Sequence, residues 1–521
     1  MKNKKFFLFL AALPFLAFVP GPEDEANKYA ATITADDLGR HLNILASDEY
    51  EGRETGKKGQ KMAAEYISAR FKEMGIPALP TGSYYQPIDL FEKQPGAGTI
   101  TSNKKEFRFS SDFFYISGID DIKRKLPSVV FAGYGMSEAN YDDYAGIDVK
   151  DKVVMILPGE PHDKKGRSLI TGKPGDSEKS DRRQKVNLAR EKGAAAVFIV
   201  LSNYATQLQS MKHSIEATTL RLNLKTEEKT QAPFFFISFG MADALLANAG
   251  SVETVNMLTA HIRKKKKPKS IELKQEILID VQRVEKQISS ENVLGFIEGS
   301  DLKEEIIVVT AHYDHIGKEG DVVYNGADDD GSGTVAIMEM AEAFAQAKKD
   351  GRGPRRSMLF MAVSGEEKGL LGSRWYTENP VFPLEKTVCD LNIDMIGRID
   401  TFHVKNKNYV YIIGSDKLST ELHQINEAAN KKYMQLELDY KYNSDKDPNR
   451  FYYRSDHYNF AKKNIPIIFY FNGTHKDYHK ETDEVKKIDF PLMEKRTRLV
   501  FYTAWELANR DKRIVVDKKP N

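Results

Sequence analysis

EIIVVTAHYDHIG (residues 305–317) decides the fold. Ile306 to Ala311 form a short run rich in β-branched side chains, which reads as a strand, and His312, Asp314 and His315 follow at its end. From Ser289 onward the same alternation repeats. A helix begins near Ser332, then come SMLFMAVS (357–364), a short helix, VCDLNIDM (388–395), YVYIIG (409–414) and a helix over 418–433. Ser455 caps a short helix, the strand IPIIFYF (465–471) follows, and a long helix over 492–510 closes the pattern. Strands spaced by helices predict an α/β fold, a mostly parallel mixed sheet flanked by helices. In such sheets ligands gather beyond the carboxyl ends of the strands.

Acids and histidines collect at those ends. AHYDHIG (311–317), SGEEKG (364–369), NIDMIG (392–397) and HKDYHKETDE (475–484) each follow a strand, and NGADDDGSGT (325–334) is a glycine-rich loop leading into a helix. One such segment says little, because a lone acid at a strand end is commonly a cap. Five in one half of a chain form a pattern. Their chemistry suits zinc, which binds imidazole nitrogen and carboxylate oxygen, and two metals roughly 3.5–4 Å apart can share a carboxylate. Thiolate is excluded, since Cys389 is the only cysteine and lies in an apolar stretch.

The run GADDDGSG, the pair GEE, the strand-end Asp of NIDMIG and the late YHKETD together resemble the co-catalytic zinc aminopeptidase family, whose relatives include glutamate carboxypeptidase and the non-enzymatic transferrin receptor. The resemblance implies two Zn2+ ions and peptide substrates. It places His312 and Asp394 on one zinc, Glu367 and His479 on the other, and Asp329 between them, with Glu366 as general base. It also implies a cis Asp329–Asp330 bond. Asp314 is expected to orient the imidazole of His312 from behind, Asp330 to cap the next helix, and Asp483 to support His479. His457 competes with His479 as the last ligand. His479 is preferred because it lies in the YHKETD pattern, which leaves His457 and Ser455 to the pocket wall. Tyr478 reads either as a donor to an oxyanion or as an ordinary loop tyrosine. Arg450 and Arg454 read either as receivers of a substrate carboxylate or as solvated charges. His315 is read as a surface polar residue, and His475 is left without a role.

The rest of the chain frames this unit. Two helices around a polar loop, over 33–45 and 59–74, resemble the family's opening, so residues 28–125 are assigned to the amino-terminal part of the catalytic domain. SVVFAGY, KVVMILP, AAVFIV and APFFFIS mark a β-rich insert over 126–263, similar to the family's protease-associated domain. The basic run RKKKKPK opens a solvated linker over 264–288, and 289–515 complete the catalytic domain. Residues 1–21 read as a signal peptide, with Lys2, Lys4 and Lys5 before an apolar stretch too short to span a bilayer. That implies an exported protein, periplasmic or secreted, without stable membrane insertion. A formal charge of +2 over 521 residues gives no case for nucleic acid as a partner. A homodimer is left open. The expected activity is aminopeptidase, with dipeptidase or carboxypeptidase action on the same site as the alternative. A binding protein on an inactive scaffold would have lost ligands, and none is missing.

Overall fold

The computed structural model describes residues 22–116, 121–224 and 231–519, so the leader expected over 1–21 lies outside the described residues. The described residues form two compact units, those up to 89 with those from 289 onward, and those between 90 and 288.

In the first unit the sheet order runs from the carboxyl half of Ile277–Ile297 through Arg356–Val363, Leu302–His312, Thr387–Ile393, Ile467–Phe471 and Tyr409–Ile413 to Glu437–Asp439. Leu302–His312 is parallel to both of its neighbours, and Thr387–Ile393 is parallel to Ile467–Phe471. Ile277–Ile297 and Tyr409–Ile413 pair antiparallel with their inner neighbours. The sheet is therefore mixed and mostly parallel at its centre.

Both faces are covered, which explains the unbroken apolar runs. Every residue of Arg356–Val363 is buried. Met358, Phe360 and Ala362 join the core beneath the helices Ala35–Leu45, Gly333–Lys349 and Phe490–Asn509, whereas Leu359, Met361 and Val363 join the core on the opposite face. Alternation along one strand thus feeds two layers. Removing a buried aromatic such as Phe360 costs about 3–5 kcal/mol in a core of this kind. Cys389 lies in the first of these cores.

Buried cations tie the layers together. Arg356 donates to the carbonyls of Leu507 and Arg510 at the end of the last helix and to Glu305 at 2.6 Å. Arg496, from the middle of that helix, donates to the carbonyls of Ile396, Arg398 and Tyr409. It therefore fixes the backbone at the end of NIDMIG and just beyond it.

The second unit is built on a six-stranded sheet in the order Ser270–Leu273, Val129–Ala132, Val153–Ile156, Ala196–Leu201, Phe234–Ser238 and Phe113–Phe114. Its extent differs from the insert expected over 126–263. Residues 90–125 belong to it because Ile100, Phe107, Phe113 and Tyr115 fill the same core as Val129, Val153 and Phe235. The stretch 264–288 is no linker. Arg263, Lys264 and Lys265 finish the helix Val255–Lys265, where cations suit the helix dipole, and Ser270–Leu273 then pairs with Val129–Ala132. This unit is also less purely β than expected, because Phe239–Asn248 and Val255–Lys265 pack as helices on its core.

Candidate metal centre

Parallel strands bring distant residues to one edge because their carboxyl ends point the same way. His312 is the last residue of Leu302–His312, Glu366 and Glu367 follow Arg356–Val363, Asp394 follows Thr387–Ile393, and His479 lies in the loop after Ile467–Phe471. Asp329 comes from the turn Ala327–Ser332 that starts the helix Gly333–Lys349. Its two oxygens face different partners. Oδ1 lies 3.3 Å from His312 Nε2, and Oδ2 lies 3.0 Å from His479 Nε2 and 4.0 Å from His315 Nδ1. On one side His312 Nε2 is 3.6 Å from Asp394 Oδ1. On the other, Glu367 Oε1 is 2.8 Å from His315 Nδ1, and Oε2 is 3.2 Å from His479 Nε2.

The turn that carries Asp329 is held from several directions. Gly326 enters it at φ +53°, where an added Cβ would lie 2.2 Å from the carbonyl oxygen of Asp329 and 2.5 Å from the ring of His315, so only glycine fits. The Asp329–Asp330 peptide bond is cis. Asp330 accepts from Gly333 N at 2.9 Å, from Met395 N at 2.9 Å and from His312 N at 3.2 Å, tying three of the segments together. Asp328 accepts from Gly397 N, Ser332 Oγ and the ring of His475, which gives that histidine a structural partner. Asp483 accepts from both Asp328 N and Asp329 N with Oδ2, so it positions the turn rather than His479.

One cation under this turn was not read from the sequence. Arg53 is buried and donates to the carbonyls of Leu45, Tyr313, Asn325 and Gly326. Burial lowers its pKa, and Asp314, Asp330, Asp329 and Asp483 opposite it counter that cost in part. Glu51, Gly52 and Arg53 all have positive φ, a local contortion with no signature in the sequence beyond a glycine beside two charges.

Electrostatics at the site are those of an acid cluster short of cations. Burial alone would raise the Asp329 carboxyl, but His312 and His479 beside it hold it well below the usual range. Burial opposes the charged form of His479, yet Asp329 and Glu367 outweigh it and push its pKa up to about 10. Burial raises Glu366 well above the ordinary carboxylate range, with Glu367, Asp394 and Asp456 adding to the rise against the pull of His312. A multivalent cation would reverse that balance.

The same atoms lack hydrogen bonds. His312 Nε2, both ring nitrogens of His315, Asp329 Oδ2 and Glu367 Oε1 are buried without a partner. Each such group costs about 1–3 kcal/mol if left unsatisfied. Two sets of ligand atoms gather here, His312, Asp329 and Asp394, and His315, Asp329 and Glu367, with the atoms of each set within 4.8 Å of one another. Nitrogen and carboxylate donors converging without bonding one another fit two cations sharing Asp329.

Residues 292–504 match the model of peptidase family M28. That stretch lies wholly within the first unit. A probable leucine aminopeptidase of Trichophyton verrucosum (strain HKI 0517) is 32% identical over 213 residues, covering 39% of this chain and 55% of the relative. Aminopeptidase YwaD of Bacillus subtilis (strain 168) is 33% identical over 111 residues, 21% of this chain and 22% of the relative. The chain thus spans about half, or less, of the length of these curated relatives. In fold, it is similar to an aminopeptidase from Aneurinibacillus sp. strain AM-1, with a TM-score of 0.51 at 18% identity over 95% of this chain and 98% of that one.

Within the first unit, several residues sit elsewhere than expected. His315 is not at the surface. It is 0% exposed, because its backbone N–H donates to the carbonyl of Arg53 and the Glu54–Arg53 loop closes over it. Asp314 does not orient His312 with its carboxylate. His312 Nδ1 lies 3.0 Å from the Asp314 carbonyl oxygen, while the Asp314 side chain accepts from Thr55 Oγ1 and Glu366 N. Ser455 does more than line a wall, since its Oγ donates to Asp394 Oδ2 at 2.7 Å and accepts from Asn392.

Beside Asp329, Glu366 and Asp394 runs a cleft lined by Met395, Phe451, Phe469, Phe471, Arg454 and Tyr478. The Tyr478 ring stacks on His479 at 3.9 Å, and its hydroxyl is 3.2 Å from Arg454 Nη2. Burial, with Asp329 nearby, raises the Tyr478 pKa, so it keeps its proton. Arg450 instead lies over the Tyr453 ring at 4.7 Å. His457 starts the helix His457–Ala461, is buried to the point that its pKa falls to about 3, and stacks behind Phe469 at 4.7 Å. It supports the cleft wall from behind.

Proposed function

We propose that this chain is an exported peptidase that holds two zinc ions and releases residues from the amino ends of peptides. The observation that carries the reading is the set of buried, unbonded ligand atoms gathered around Asp329, with Glu366 beside them. The names of the aminopeptidase relatives support the choice of reaction. His312, Asp394 and Asp329 would hold one ion, and Glu367, His479 and Asp329 the other. Bound there, zinc polarises a carbonyl and makes water more acidic.

The chain's own groups do the rest. Glu366, whose Oε2 lies 3.9 Å from His312 Nε2, receives the proton of the attacking water and passes it to the leaving amine. Its backbone N–H is anchored on Asp314, which keeps the carboxylate in place. Tyr478, protonated and facing the cleft, donates to the oxygen that gains negative charge. Met395, Phe451, Phe469 and Phe471 offer an apolar wall to a substrate side chain. Export rests on the leader read over 1–21, and it implies a periplasmic or secreted enzyme.

Arg454, which lines the same cleft, favours a second reading in which a substrate carboxylate is received there and dipeptides or carboxyl-terminal residues are cleaved. Peptides blocked at one end or the other separate the two readings. The main test is Glu366→Gln, assayed with a free-amine aminoacyl anilide and by metal content. Both zinc ions should remain while kcat falls about 10²–10⁴-fold. Unchanged kcat with both ions in place overturns the mechanism.

A further inference from the structure

His315 has no role in the scheme above, yet it is the most thoroughly buried imidazole with nothing to bond. It is 0% exposed, and neither Nδ1 nor Nε2 has a hydrogen-bond partner. Its Nδ1 is 2.8 Å from Glu367 Oε1, but the direction of approach makes no hydrogen bond, and that oxygen is likewise unpartnered. A nitrogen and an oxygen this close, both lone-pair donors and both buried, need something between them. A hydrogen-bonded pair would aim the N–H at the oxygen. Two ligands of one cation instead aim their lone pairs at a common point.

The separations agree with the second case. Zinc–ligand bonds of about 2.0–2.2 Å put neighbouring ligand atoms roughly 2.8–3.6 Å apart at angles between 90° and 109°. Three of the four separations around Glu367 show that spacing. His315 Nδ1 to Glu367 Oε1 is 2.8 Å, His479 Nε2 to Asp329 Oδ2 is 3.0 Å, and His479 Nε2 to Glu367 Oε2 is 3.2 Å, whereas His315 Nδ1 and Asp329 Oδ2 stand wider, at 4.0 Å. The ring of His315 is also fixed in place. Its backbone pairs with Glu54 and bonds to Arg53, and Gly326 leaves no room on its other side. A rigid, unsatisfied imidazole is a preorganised ligand rather than a filler of the core.

We propose that His315 is a zinc ligand on the Glu367 side of the centre, joining Asp329, Glu367 and His479. The inference rests on the two-zinc reading above and deepens it. The Glu367 side then has four protein ligands and two imidazoles, whereas the His312 side has three protein ligands and one imidazole. Four protein ligands make a closed, tightly held position, and three leave room for water. The two ions should therefore differ in affinity, with the tighter one on the Glu367 side.

X-ray absorption on the zinc-loaded wild-type protein counts imidazoles directly. Three imidazoles shared between two ions, from His312, His315 and His479, support the inference, and two overturn it. Zinc titration of His315→Gln is the second measurement. The tighter site should weaken by more than about 100-fold, beyond the 10–100-fold typical of a group that merely supports a ligand, with the other site unchanged and the metal-free melting temperature kept. Retention of both affinities, or a loss within that supporting range together with two imidazoles, overturns it. A wild-type protein that binds no zinc would sink the two-zinc reading itself, and this is read first.

Discussion

The two sides of the metal centre are built differently. On one, His312 and Asp394 stand at the ends of adjacent parallel strands, and each is anchored by the chain around it. His312 is held by the Asp314 carbonyl, and Asp394 by Ser455. On the other, Glu367 and His479 come from loops, His479 sits at φ +56°, and its side chain is 40% exposed. Apart from the shared Asp329, only His315 on that side is locked into the fold. Strand ends give placement by topology, whereas loops give it by local contacts that can yield. One side is rigid because the sheet is rigid. The other depends on a buried imidazole that a reading of motifs passes over.

Asp329→Asn tests the element common to both sides and has the largest expected effect. Removing the shared negative charge should abolish stoichiometric zinc binding at both positions and reduce peptidase activity to background. Retention of either ion at wild-type affinity would show that the sides do not share Asp329. Next in size is the contrast between His312→Gln and His479→Gln. Loss of the buried strand-end ligand should weaken its ion at least ~10 times more than loss of the exposed loop ligand, a difference of about 1.4 kcal/mol. Equal losses, measured by competition with a chelator, would erase the distinction drawn between strand and loop. The smallest effect belongs to Ser455→Ala, which should cost about tenfold in zinc affinity on the His312 side through loss of the bond to Asp394. No change there would mean that the strand end alone places Asp394.

Much of this was legible in the sequence. Alternating apolar runs and helical stretches gave the α/β class, and strands ending in acids and histidines marked one edge of the sheet. His312, Asp329, Glu366, Glu367, Asp394 and His479 all come together there. What the pattern missed were residues whose role depends on neighbours far along the chain. Arg53 bonds to carbonyls more than 250 residues away, at Tyr313, Asn325 and Gly326. Asp483 holds a turn about 155 residues before it. The boundary of the second unit was also misplaced, because residues 90–125 and 264–288 are polar along much of their length and join its core through scattered side chains.

The sequence by itself determined which chemistry the chain can offer. Local periodicity sets strand and helix, and residue type sets donor identity, both properties of short segments. Only the tertiary structure decided burial and direction. A His one turn past a strand is a surface group or a trapped ligand according to whether the loop of Arg53 and Glu54 closes over it. Desolvation is a property of all the atoms around a group, and no neighbouring residue in the chain records it.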